Sequence, residues 1–69
     1  MEYLKIKDEF IKLGQALKLC GIAGSGLEAK IMIKNSEVKV NGEICLERGK
    51  KLHNEDVFEH KGKEFKVLT

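Results

Sequence analysis

The 69-residue sequence predicts an α+β fold, with two consecutive helices followed by short strands that make a small, mainly antiparallel sheet around a central β-hairpin. Three observations predict it. Leu13, Ala16, Leu17 and Cys20 recur at the i, i+3, i+4, i+7 spacing of one helical face. Ser25 with Glu28 three residues on is the signature of a capping box, which opens a second helix. Asn41-Gly42 between alternating apolar residues is the strongest short hairpin signal a sequence carries.

Taken in order, Glu2 to Lys7 alternates Leu4 and Ile6 with charged neighbours, the period of a short half-buried strand. Asp8 is a candidate N-cap for the first helix, which Gly21-Ile22-Ala23-Gly24 ends. The second helix runs from Ser25 to Asn35-Ser36, and its apolar residues Leu27, Ala29, Ile31, Met32 and Ile33 spread over much of its circumference. That spread predicts a widely buried helix with Lys30 and Lys34 together on one narrow side. Val38-Lys39-Val40 and then Ile44 and Leu46 alternate on either side of the hairpin turn. Beyond the basic stretch Arg48-Gly49-Lys50-Lys51 and a polar turn at residues 53–56, Val57-Phe58 and Phe65 with Val67 form two last strands joined at Lys61-Gly62. Val38, Val40, Phe58 and Phe65 are candidate core residues.

A chain this short makes one domain, residues 1–69, and buries only about 60% of its unfolded surface. With 42% hydrophobic and 35% charged residues and no low-complexity run, it is a folded domain rather than a disordered one. No stretch approaches the roughly 20 apolar residues of a membrane span, and the start MEYLKIKDEF lacks a signal-peptide core. A cytoplasmic protein without membrane contact is therefore expected, with Cys20 and Cys45 as free thiols.

Net charge is only +2, so placement rather than excess must argue for an anionic partner. Lys30 and Lys34 stand one helical turn apart, and residue 26, four before Lys30, is a glycine rather than an acid. Surface lysines near a helix C-terminus are ordinary, and such a pair costs an isolated helix only a few tenths of a kcal/mol. Accumulation changes the weighing. Lys39 points away from Val38 and Val40, and Arg48, Lys50 and Lys51 follow the hairpin, while most acids lie near the two ends. Such a face suits a phosphate backbone, because each neutralised phosphate releases counterions. One Tyr, three Phe and no Trp, with Phe58 and Phe65 in core positions, make a row of stacking aromatics unexpected.

Other chemistry fits less well. Gly21-Ile22-Ala23-Gly24 matches the glycine-x-x-glycine phosphate clamp in form, but its middle residues are apolar, as in a plain helix connection. Cys20, Cys45, His53 and His60 contain no closely spaced pair of the kind zinc sites use. A Cys45 nucleophile lacks a pocket. No metal, cofactor or catalytic residue is expected.

Lys12-Leu13, Ser25-Gly26-Leu27-Glu28-Ala29-Lys30, Ile33, Val38-Lys39-Val40-Asn41-Gly42-Glu43 and Arg48-Gly49-Lys50-Lys51-Leu52 together resemble the RNA-binding domain named after small-subunit ribosomal protein four, the αL motif. The chain is similar to the small stand-alone bacterial members, over about residues 10–60. The resemblance implies two helices packed on a small twisted sheet, with structured RNA, ribosomal or transfer RNA, against helices and hairpin. By position it implies RNA contacts at Lys12, Ser25, Lys30, Lys39, Asn41, Arg48, Lys50 and Lys51; Lys34 joins them from the helical-face argument. Three positions depart from the family's habit: Gly14 where many members have an acid, Gly26 where many have a base, and Ser36 where a glycine is common.

The expected function is thus non-catalytic recognition of ribosomal RNA or its precursors by a monomer, in ribosome assembly or translation, with ribosomal particles as partners. The rival reading from another class is a protein-interaction module docking on a ribosomal or replication protein without RNA contact.

Overall fold

The computed structural model describes residues 1–69. In chain order the elements are β1 (Glu2–Lys5), β2 (Phe10–Lys12), α1 (Leu13–Leu19), α2 (Gly26–Lys34), β3 (Val38–Val40), β4 (Glu43–Ile44), β5 (Lys51–His53), β6 (Val57–His60) and β7 (Lys63–Leu68). Five strands form one sheet in the order β1-β7-β6-β3-β4, antiparallel except where β1 runs parallel to β7. β2 and β5 pair apart from it as an antiparallel ribbon. No helix is long and apolar enough to cross a membrane.

One face of the main sheet carries Val38, Val40, Phe58, Phe65, Val67 and Leu4 into the core. Leu13, Ala16 and Leu17 of α1, Ala29 and Ile33 of α2 and Leu52 of β5 close over it. Phe58 and Phe65, in register on β6 and β7, stack with ring centroids 5.1 Å apart and planes 12° apart. That offset contact adds to their area burial. The α+β class, the packing of both helices on the sheet and the expected core all hold.

Both helices end in Schellman motifs. After α1, Gly21 (φ 77°) donates its N–H to the Lys18 carbonyl and Ile22 to that of Leu17. After α2, Ser36 donates to Ile33 and Glu37 to Met32, with Ser36 itself at φ 62°. A serine thus occupies a left-handed position that favours glycine, which explains the glycine common there in the resembling family. The expected capping box is present in shifted form. Glu28 N–H donates to Ser25 Oγ at 3.2 Å, while the Glu28 carboxylate accepts from Gly24 N–H at 2.7 Å.

Three local expectations need correction. Asp8 does not cap α1: the helix begins at Leu13, after a Lys12 N-cap that makes no side-chain cap bond. Phe10–Lys12 is drawn into an extended strand because Ile11 pairs with buried Leu52 across the ribbon. The second helix is not widely buried, since only Ala29 and Ile33 are, and Leu27 and Ile31 stay 66% and 49% exposed. Seven residues of α1 and a small sheet offer too little surface to cover both sides of α2. The return arm of the hairpin stops at Ile44, and Leu46 is exposed, because the chain leaves the sheet to reach α1.

Candidate nucleic-acid interface

The ribbon sets the geometry. With Ile11 and Leu52 turned inward, the flanking pairs Phe10 with His53 and Lys12 with Lys51 face outward. Lys12 and Lys51 are therefore directly opposite each other, an arrangement that costs rather than gains stability. The Lys51 ammonium lies 4.8 Å from the Phe10 ring centroid, where the ring's negative face partly offsets that cost.

The loop before β5 is tied to the start of α1. Leu13 N–H donates to the Lys50 carbonyl at 2.8 Å and Gly14 N–H to the Arg48 carbonyl at 3.0 Å. These bonds satisfy two of the donors that a helix leaves open at its first turn. They also require residue 14 to lack a side chain: a Cβ there would stand 2.7 Å from Arg48 Cγ. Gly14, at a position where the resembling family often has an acid, here admits the basic loop. Lys12, Arg48, Lys50 and Lys51 are gathered at one place, all exposed.

Lys30 and Lys34 form a second group on the exposed side of α2, interleaved with exposed Leu27 and Ile31. Lys39 is exposed as expected but stands on the sheet face turned away from the helices, opposite Glu59 of β6 and Ile44 of β4. Neither cross-strand neighbour of Lys39 is a cation. None of these seven residues forms an ion pair; the salt bridges are Lys63 to Glu2 at 3.1 Å, His60 to Glu37 and His53 to Asp56.

Two expected contact residues have internal roles. Ser25 Oγ caps α2. Asn41 sits at φ 50° in the hairpin turn, beside Gly42 at 87°. Its Oδ1 accepts from Val57 N–H at 2.9 Å, and its Nδ2 donates to Asp56 Oδ1 at 3.1 Å. Both ends of the amide are thereby engaged in joining the hairpin to the start of β6.

The remaining polar groups do not build a chemical centre. Ile22 and Ala23 N–H both donate to the Leu17 carbonyl, so the glycine-x-x-glycine loop has no middle amide to offer a phosphate. Cys20 and Cys45 are free and partly buried. Burial, reinforced by Glu2 and opposed by Lys63, pushes the Cys20 thiol above its ordinary pKa, away from a reactive thiolate. No three His, Cys, Asp or Glu side chains cluster as metal ligands do.

Phe10 and His53 on the outward face of the ribbon, and Lys5, Lys7 and Lys18 around an adjoining groove, are not among the contact residues expected from sequence. Phe10 and His53 are brought together by the pairing of residues 10–12 with 51–53, which no local pattern displays.

Comparison with known proteins agrees with this geometry. The S4 domain family matches residues 4–68. A curated relative, the probable ribosome maturation protein RlbA of Bacillus subtilis (strain 168), is 44% identical over 59 residues, covering 86% of this chain and 83% of the relative. The solution structure of YbcJ from E. coli, described as revealing an αL motif involved in RNA binding, superposes with a TM-score of 0.75 at 28% identity. That match covers 100% of this chain and 89% of YbcJ. With two helices on a mixed sheet and the family match running nearly end to end, the chain belongs to the S4 domain family.

Proposed function

We propose that this protein is a non-catalytic RNA-binding protein that recognises structured ribosomal RNA or its precursors by shape and phosphate contacts, in ribosome maturation. The observation that carries this reading is the group Lys12, Arg48, Lys50 and Lys51, held together by backbone hydrogen bonds to the start of α1 and neutralised by no ion pair. Folding gives these cations no acidic partner. A phosphate backbone supplies an anionic one, relieves the repulsion and releases its own counterions. Fixing the loop on α1 also lowers the entropy lost when RNA orders it. Lys30 and Lys34 extend the contact along α2. The names of the two relatives, a ribosome maturation protein and an αL motif involved in RNA binding, support the same assignment.

Reversing both members of the opposed pair, Lys12→Glu with Lys51→Glu, keeps like charges opposite but loses the Lys51 contact with the Phe10 ring, so circular dichroism first checks that the variant is folded. The account expects affinity for ribosomal RNA fragments to fall by about tenfold or more, with Lys39→Glu having a much smaller effect. Unchanged affinity in the folded double variant would contradict it.

A further inference from the structure

A shallow groove of about 670 Å³ runs between the segment joining β1 to β2 and the exposed side of α1. Ile6, Phe10, Ile11 and Leu19 give it an apolar lining, and Lys5, Lys7, Lys18, Gln15 and Asp8 are its polar groups. None of its three lysines is engaged in an ion pair. Resting on the RNA-binding reading above, we propose that this groove takes an unpaired nucleobase of the bound RNA, stacked on Phe10, while the lysines hold the flanking phosphates.

Two observations favour that occupant. The first is charge complementarity: three free cations against one acid surround an apolar floor, matching the flat apolar face and anionic backbone of a nucleotide. The second is continuity with the basic face. The Phe10 ring lines the groove and also carries the Lys51 ammonium at 4.8 Å, and Lys51 is opposite Lys12. His53, whose ring centroid lies 6.0 Å from that of Phe10, extends the aromatic surface outward on the same face of the ribbon. An RNA lying along Lys12, Lys51 and Arg48 thus meets an aromatic ring at the edge of the groove. Gln15 offers both a donor and an acceptor to a base edge, and Asp8 is an acceptor for a base N–H.

The test compares three RNA hairpins with the same stem, measured by fluorescence anisotropy at one salt concentration: fully paired, with a single bulged adenosine, and with an abasic residue at the bulge. Base–aromatic stacking sets the expected preference for the bulged adenosine at roughly fivefold or more over both other hairpins. Phe10→Leu, which keeps an apolar side chain, should abolish that preference, lowering affinity for the bulged-adenosine hairpin more than affinity for the paired and abasic ones. Because Phe10 is partly buried, Gln15→Ala with Lys18→Gln, both exposed, provides a second variant that should reduce the preference without touching the core. Equal binding of the three hairpins by the unaltered protein, or a preference that survives Phe10→Leu and the double variant alike, would overturn the groove and leave the basic face standing. Failure to bind any of the hairpins would remove both readings.

Discussion

Asn41 separates a structural role from a binding role more sharply than any other residue of the expected site. Replacing it with alanine removes two hydrogen bonds, to Val57 N–H and Asp56 Oδ1, each worth about 0.5–1.5 kcal/mol. It also places a residue with no local compensation at φ 50°, at a cost of about 1–2 kcal/mol. Asn41→Ala should therefore destabilise the domain by about 2–5 kcal/mol. For a chain of this length, each kcal/mol moves the melting temperature by about 4–8 °C. Thermal melts followed by circular dichroism should show a fall of roughly 8–40 °C by that conversion. Asn41→Gly isolates the two contributions. It accepts the left-handed turn, so it should recover about 1 kcal/mol of the loss while still lacking both hydrogen bonds. Below their melting transitions, both variants should bind RNA within a few-fold of the unaltered protein. An unchanged melting temperature with a large loss of RNA affinity would refute the reasoning and restore Asn41 as a direct contact.

Further outcomes follow from the backbone. Ser36→Gly should raise stability by about 0.5–1 kcal/mol, a few degrees in the same melt, because it relieves the left-handed serine that closes α2. Gly14→Val should lower stability by about 1–3 kcal/mol, since its side chain meets Arg48 Cγ within 3 Å. It should also weaken RNA binding by displacing the basic loop, which a titration of the folded variant would read. Lys30→Glu with Lys34→Glu should leave the melting temperature nearly unchanged and reduce RNA affinity, since both side chains are exposed and unpaired.

Local chemistry made much of the fold legible. Asn41-Gly42 and Lys61-Gly62 each place two successive residues at positive φ and close two-residue hairpins, as their sequences predict. Ser25 with Glu28 starts α2 where expected, and Val38, Val40, Phe58 and Phe65 are core. The ribbon was not legible, because its stability comes from contacts between residues some forty positions apart. Asp8 is a sound N-cap by local rules, yet the pairing of Ile11 with Leu52 holds residues 10–12 extended and delays the helix. The same pairing decides the site. Lys12, Arg48, Lys50 and Lys51 could be named singly from sequence, but that Gly14 leaves room for Arg48, and that Phe10 lies under Lys51, depends on which backbone meets which. Asn41 shows the converse: a residue named for its place in a family pattern whose hydrogen bonds are spent within the fold.

Binding of structured-RNA phosphates by the gathered cations is the proposal on which the other RNA-binding outcomes depend. The most direct measurement is a titration against structured ribosomal RNA fragments and a duplex DNA control, repeated across salt. Contacts to about four to six phosphates predict a log–log slope of roughly −3 to −5, with RNA bound better than DNA. Absence of binding to either nucleic acid at low salt, or binding indifferent to salt, would contradict the account.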